Sequence, residues 1–219
     1  MRNHKKICSS TIIIFILLAT VGNSSAQTWH AVKWVADGDT IVLTTGQHIR
    51  YLGINTPEIK HKDQKAQPWG YEAKSFNGNL VRHNRVRLEF DNEHYDQYGR
   101  MLAYVFLPDG TFVNLRLLQS GLAFYLYRRP NVKYENILYQ AQVTAMASKN
   151  GLWHNWKEKN AAYIGNSKSR RFHSAACPYA RKLNAANRIA FSSKWDAFQA
   201  GYAPAKGCIV KYWSDQEGD

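Results

Sequence analysis

The stretch WHAVKWVADGDTIVLTTGQHIRYLGI, residues 29–54, decides the fold. Three runs rich in β-branched and aromatic residues are separated at Asp37-Gly38 and at Thr45-Gly46. Asp-Gly, or a glycine between such runs, signals a hairpin, because the tight turns that join twisted strands need backbone angles glycine adopts without penalty. The stretch reads as three short strands in succession.

Working outward, the loop KHKDQKAQPWG leads into a helix on which Ala73, Phe76 and Leu80 recur at helical spacing. RVRLEF then alternates, with Val86, Leu88 and Phe90 on one face and Arg85, Arg87 and Glu89 on the other, the pattern of a half-buried strand. MLAYVFLPDGTFVNLRLLQSGLA gives a further strand, a Pro-Asp-Gly turn, and a helix whose Val113, Leu117 and Leu118 face inward before Gly121 ends it. A last helix is expected from about Tyr134, with Ile137, Leu138, Ala141 and Ala145 as its buried stripe and Gly151 as its stop. A small twisted sheet with helices, over residues 27–157, is the α+β class at the size of one domain.

Residues 158–219 have a different texture, with small residues, turn signals and clustered charge. Short strands are expected at Tyr163, near Phe172 and from Arg188 to Phe191, and a helix from Lys194 capped by Ser193 with Asp196 in its first turn. So small an α+β module buries little core of its own and needs a staple.

At the other end, Arg2, Lys5 and Lys6 precede an apolar run from Ile12 to Val21, and Ser24 and Ala26 stand before Gln27. That is the pattern of a secretory signal peptide over residues 1–26, with an apolar core too short for a membrane span. A short membrane anchor is the competing reading. No later apolar run is long enough to span, and the protein is expected to be exported, to periplasm or medium, and to work as a monomer. Removing the leader takes three of the 29 Lys+Arg and none of the 16 Asp+Glu, so the formal charge falls from +13 to +10. A basic export product usually meets a polyanion, although charge also serves solubility. Cys8 leaves with the leader, and the remaining Cys177 and Cys208 can pair in an oxidising compartment.

Three pieces carry chemistry: DGDT at 37–40, RYLGINTPE at 50–58 and DQYGR at 96–100. Each falls at a strand end or turn, where a rigid sheet aims side chains at a shared cleft. Singly they read as a turn, a loop start and a hairpin tip. Together they supply two arginines, carboxylates and an amide, which suits phosphodiester hydrolysis. Arginines fork onto phosphate oxygens and stabilise the added charge of the transition state. A hard cation held by Asp39 and its neighbours would polarise the same phosphate, and Glu58 is free to orient or deprotonate water.

VADGDTIVL, RYLGINTPE, EAKSF, DQYGRMLAYVF, VNLRLLQSGLA and YRRPN, in that order, resemble the staphylococcal nuclease (thermonuclease) family over about residues 34–156. The resemblance implies an OB-like five-stranded β-barrel with three helices and a calcium-dependent activity on DNA and RNA that leaves 3′-phosphates. It makes Asp39 a calcium carboxylate, Thr56 a backbone-carbonyl ligand, Glu58 the residue acting on water, and Arg50 and Arg100 the phosphate clamps. Tyr98 matches the tyrosine beside the second arginine. Either Tyr125 or Tyr127 supplies the aromatic that meets the nucleotide. Two positions depart from the family pattern: Gln97 replaces a common lysine, and Asn55 replaces a calcium-ligating Asp, which lowers the charge available to the metal. The alternative is an OB-fold nucleic-acid-binding module with weak or lost catalysis. In such modules the arginines or the glutamate are normally missing, whereas Arg50, Glu58 and Arg100 are all present here.

FHSAACPYARKL and AGYAPAKGC resemble the small zinc domain of the adaptive-response DNA-repair protein that accepts methyl groups from phosphotriesters. Where that domain has four cysteines, this chain has His173, Cys177, Ala205 and Cys208, so the methyl-acceptor chemistry is not carried over. A Cys177–Cys208 disulfide is the first reading. A zinc site completed by water or another side chain, or two idle thiols, stand beside it. Lys168, Arg170 and Arg171 in SKSRRFH read either as phosphate contacts or as a solvated turn.

Overall fold

A computed structural model describes residues 27–60, 65–158, 161–206 and 208–209 of the chain. The expected signal peptide lies outside the described residues.

The opening stretch forms the three expected strands, β1 (Trp29–Asp37), β2 (Thr40–Leu43) and β3 (His48–Tyr51), and β4 (Ile54–Asn55) follows at once. After α1 (Gly70–Val81) come β5 (Arg85–Glu89), β6 (Met101–Phe106), α2 (Val113–Gln119), β7 (Phe124–Tyr125) and α3 (Glu135–Ala147). Five strands close a barrel in the order β1-β2-β3-β6-β5. Only β3 and β6 run parallel within it, while β4 and β7 pair separately. Ile41, Ile49, Val86, Val105, Val113, Leu117 and Leu118 fill the interior with no exposed surface. The α2 stripe therefore follows the sequence periodicity, and on β5 Val86 is buried while Leu88 and Phe90 pack partly buried against the core.

The α3 stripe differs at one position. Leu138, Ala141 and Ala145 are buried, but Ile137 is 48 % exposed and Gln142 takes a fully buried place. Gln142 earns it by hydrogen bonding: its Oε1 accepts from the Tyr125 amide and its Nε2 donates to the Phe198 carbonyl, both at 2.6 Å. The helix also ends at Ala147, and Gly151 instead opens a 3-10 turn over Gly151–Trp153. Gly121 and Gly151 have positive φ and press their backbones together so closely that a Cβ on either would meet carbonyl oxygen at 2.1–2.4 Å.

The C-terminal segment contains β8 (Tyr163–Asn166), β9 (Arg171–Ser174), α4 (Pro178–Arg181), β10 (Arg188–Phe191), α5 (Lys194–Gln199) and β11 (Ala203–Pro204). Its sheet has the order β10-β8-β9-β11. Ser193 caps α5 as expected, its Oγ accepting from the Asp196 amide at 2.9 Å. α4 and β11, four and two residues long, carry no periodic signal of their own. The apolar cluster beneath this sheet is shared: Phe172, Ala197, Phe198 and Ile209 pack with Phe124, Ala145, Met146, Leu152 and Trp153. Arg170 bridges to Glu135 at 3.1 Å, and the Tyr139 hydroxyl donates to the Gln199 carbonyl at 2.7 Å. The segment thus lies on the back of α3 and β7 through both apolar and polar contacts. Among the described residues no helix is long and apolar enough to cross a membrane.

Candidate active site

The β1–β2 turn, the end of β3, the segment after β4 and the turn before β6 open on one cleft of about 550 Å³. Asp37, Asp39, Arg50, Asn55, Glu58, Tyr98 and Arg100 all line it. Thr56 is buried just beneath.

Barrel register sets the first group. Thr40 pairs with Arg50 across β2 and β3, so Asp39 stands at the turn just before that pair. The Asp39 carboxylate accepts from the Thr56 amide at 2.9 Å and meets Arg50 Nη2 at 3.0 Å. Arg50 is itself held by acceptors: its Nη1 donates to the carbonyls of Tyr51 and Ile54, at 2.7 and 3.0 Å, and its Nη2 to Asn55 Oδ1 at 2.8 Å. Asn55 Nδ2 in turn donates to the Thr56 carbonyl at 2.9 Å. The guanidinium is fixed by four acceptors, which is the pre-organisation an electrostatic clamp requires.

Gly38 permits this packing. A Cβ there would lie 2.7 Å from Thr56 Oγ1 and 2.8 Å from the Ala73 methyl, so the turn, the Thr56 segment and α1 close up only around a glycine. Glu58 is anchored through its backbone, its amide donating to Gln67 Oε1 at 2.8 Å and its carbonyl accepting from the Gln67 amide at 2.9 Å. Its side chain is left to face the cleft.

The second arginine is held by a different device. Gly99, at φ +75°, turns the chain over Asp96, whose carboxylate accepts from the amides of Tyr98 and Arg100 and from Arg100 Nε, at 2.9, 3.0 and 2.8 Å. Burial pushes the Asp96 pKa upward, but these hydrogen bonds and the Arg100 charge outweigh it and hold the carboxyl below its ordinary value. Arg100 lies 5.5 Å from the Tyr98 ring centroid, and Tyr98 is 74 % exposed.

Asp37 is a member of the site that spacing arguments passed over, although the DGD doublet carries it. Burial, then the charge of Asp39 and a hydrogen bond with Glu58, push its pKa up to about 7. Asp37 with Asp39 and Glu58 on either side of it, in a cleft that Asn55 also lines, makes a hard-oxygen set that suits a divalent cation. The buried Thr56 Oγ1 has no hydrogen-bond partner among the described residues. The residues present therefore fit calcium, with Asp37 and Asp39 as the carboxylates on hand and Arg50 limiting the net negative charge.

Tyr125 and Tyr127, the candidates for the nucleotide-facing aromatic, are 2 % and 7 % exposed and lie outside the cleft lining. Phe124, Leu126 and Arg128 line it instead, because side chains alternate along an extended chain. The exposed aromatic of the cleft is Tyr98, and Gln97 lies beside it.

His173, Cys177 and Cys208 come together as a group, their ligand atoms within 4.8 Å of one another. Cys177 and Cys208 are joined as a disulfide with a Cα–Cα distance of 5.9 Å. His173 Nδ1 lies 3.1 Å from Cys208 Sγ, and burial lowers the imidazole pKa.

A family model described as staphylococcal nuclease homologue matches residues 48–155. The chain is 39 % identical over 140 residues to a thermonuclease of Staphylococcus hyicus, an alignment covering 63 % of this chain and 82 % of that protein. It is 39 % identical over 127 residues to a thermonuclease of Staphylococcus intermedius, covering 57 % and 75 %. It is also 41 % identical over 123 residues to the SPbeta prophage-derived endonuclease YokF of Bacillus subtilis, covering 53 % and 41 %.

Proposed function

The chain belongs to the staphylococcal nuclease family, and from that premise we propose that it is an exported, calcium-dependent nuclease that hydrolyses phosphodiester bonds of DNA and RNA to leave 3′-phosphates. The observation that carries this reading is the convergence of Arg50, Glu58, Arg100 and the Asp37–Asp39 pair on one cleft. Its relatives named thermonuclease and endonuclease support a hydrolase. The leader pattern of residues 1–26 and the disulfide favour export.

In this mechanism Arg50 and Arg100 contact the non-bridging oxygens of the scissile phosphate and stabilise the charge that accumulates as the phosphorus becomes five-coordinate. Glu58 accepts a proton from the attacking water as its oxygen bonds to phosphorus. The bond from phosphorus to the 5′ oxygen breaks, the 5′ oxygen takes a proton from solvent, and the phosphate stays on the 3′ side. Tyr98 offers an exposed ring for a base or sugar beside Arg100. Calcium, when bound at Asp37 and Asp39 with the Thr56 carbonyl and Asn55 near, supplies Lewis-acid polarisation of a phosphate oxygen.

The test is cleavage of DNA by purified protein with and without chelator, together with Glu58→Ala and Arg100→Ala. Each substitution is expected to lower kcat on the order of 100-fold or more while DNA binding changes far less. Wild-type turnover in either folded variant removes that residue from catalysis. Binding without cleavage by the unmodified protein would favour the alternative of a nucleic-acid-binding module.

A further inference from the structure

The family match ends at residue 155, yet the cleft does not. Ser169, Arg171, His173 and Lys206, all from the C-terminal segment, line it together with Arg100 and Arg128. The charges in this wall are compensated differently from those of the barrel. Arg50 has Asp39 and Arg100 has Asp96 at 2.8–3.0 Å. Arg171 bonds only to backbone carbonyls, its Nη2 to Tyr127 at 2.8 Å and its Nη1 to Ser169 and Arg170 at 3.1 and 3.3 Å, and has no carboxylate partner among the described residues. Arg128 meets Glu93 at 3.4 Å through two half-exposed side chains, and its buried Nε has no hydrogen-bond partner among the described residues. Lys206 is exposed at the rim.

A guanidinium removed from water without a counterion is costly, and a second cation beside it raises the cost. The Arg171 pKa records this: burial first, with the charge of Arg128 acting in the same direction and Tyr125 opposing, lowers it to about 10. A bound anion would relieve both effects. Arg171 is also held in place by the shared apolar cluster and the Arg170–Glu135 and Gln142–Phe198 links, so the wall is fixed to the barrel.

We propose that Arg171, Arg128 and Lys206 form a second anion-binding wall, which grips backbone phosphates of the nucleic-acid strand flanking the scissile phosphate. The proposal rests on the nuclease reading for the identity of the polyanion. It makes the C-terminal segment a part of the substrate site, lengthening the bound footprint beyond the contacts made by Arg50 and Arg100. Phosphate is favoured over a carboxylate ligand because the wall continues the cleft that already carries the two clamping arginines.

The experiment measures binding of a fluorescein-labelled single-stranded DNA oligonucleotide to the full chain in chelator, by anisotropy over a range of salt, and steady-state cleavage of the same oligonucleotide in calcium. Lys206→Ala and Arg171→Gln are each expected to weaken binding roughly 3- to 10-fold and to flatten the plot of log affinity against log salt by roughly 0.7, the increment of one lost phosphate contact on a single strand. In cleavage the loss falls on KM rather than kcat. Wild-type affinity and salt slope in Lys206→Ala overturn the proposal, and this exposed position decides it even if Arg171→Gln fails to fold. A wild-type chain that binds in this way but does not cleave overturns the nuclease reading and leaves the wall standing. A chain that neither binds nor cleaves overturns both.

Discussion

Asn55 accepts a 2.8 Å hydrogen bond from the guanidinium of Arg50, the same group that meets Asp39 at 3.0 Å. The amide at position 55 is thus tied to the clamp and, through its Nδ2, to the Thr56 carbonyl. Replacing it with a carboxylate keeps the acceptor for Arg50 and adds a negative charge to the hard-oxygen set. At an effective dielectric constant of about 20 a unit charge a few ångströms from a cation is worth several kcal/mol, most of it offset by desolvation and by repulsion from Asp37 and Asp39. Asn55→Asp is therefore expected to lower the calcium concentration for half-maximal cleavage about tenfold, or roughly 1.4 kcal/mol. A calcium titration of both proteins at one pH and salt concentration checks this, and an unchanged midpoint would show that position 55 does not influence the metal.

Asp96 positions Arg100 and also makes the turn depend on pH. Its folded pKa is below the ordinary value, so its contribution to stability is complete above the unfolded pKa of about 4 and drains away as pH falls through the lower folded value. Its side chain is 5 % exposed, which leaves the hydrogen bonds little screened. Asp96→Asn should cost about 1–3 kcal/mol at pH 6 to 7. That difference should shrink as pH falls below about 4 and vanish only below the lowered folded pKa of Asp96, where both proteins carry a neutral side chain. Urea unfolding of the pair at several pH values measures it. Because Arg100 loses its anchor, kcat should also fall roughly 10- to 100-fold. A pH-independent stability gap would remove the charge argument.

How much of this was legible in the sequence depends on how local the cause is. The β1–β2 and β2–β3 hairpins are written in Asp37-Gly38 and Thr45-Gly46, and the α2 stripe in the spacing of Val113, Leu117 and Leu118. β4 and β7 are two residues each and exist only because they pair with one another across the chain. Ile137 fits a helical stripe but faces out, since the neighbour that decides the face of α3 is the C-terminal segment, which draws Gln142 inward.

The site divides along the same line. Asp39, Arg50, Asn55, Thr56, Glu58 and Arg100 stand in short motifs whose turns the sequence already implies, and the barrel brings all but the buried Thr56 to line one cleft. Tyr125 and Tyr127 needed the parity of an extended strand, and a one-residue difference in register sends alternate side chains to opposite faces. Asp37 was visible as an acid two residues from Asp39, but its interaction with Glu58 depends on how the chain after β4 folds back. Of the basic cluster at 168–171, only Arg171 enters the cleft, while Arg170 covers the Tyr127 ring at 4.7 Å.

The shared apolar cluster predicts what happens when the chain is cut at the expected boundary after residue 157. Phe124, Met146, Leu152 and Trp153 would lose their cover from Phe172, Phe198 and Ile209. A large apolar side chain left in water forfeits about 1.5–3 kcal/mol, so exposing even part of this face should cost several kcal/mol. The truncated protein should unfold at lower urea and bind a hydrophobic dye. An unchanged midpoint would show that residues 27–157 form a self-sufficient unit.

Cys177 and Cys208 lie 31 residues apart in sequence and tie the start of α4 to the chain after β11. Closing a loop of that length stabilises the folded state by roughly 3–4 kcal/mol on the loop-entropy model. Protein purified from an oxidising compartment should therefore contain no free thiols and no stoichiometric zinc, and Cys177→Ser with Cys208→Ser should lower its stability by about that amount. The neighbouring His173 gives a sharper test, because reduction would leave one imidazole and two thiols within 4.8 Å, three of the four ligands a closed zinc site needs. Ala205 cannot supply the fourth, so zinc added to reduced protein should restore only part of the lost stability. Mass spectrometry of the non-reduced chain settles the covalent state: two free thiols, or zinc that survives dialysis, would make the group a metal site. The bond also bears on the cleft, since Lys206 stands two residues before Cys208. Reduction should then raise KM for an oligonucleotide more than it lowers kcat, and an effect confined to kcat would separate the staple from substrate binding.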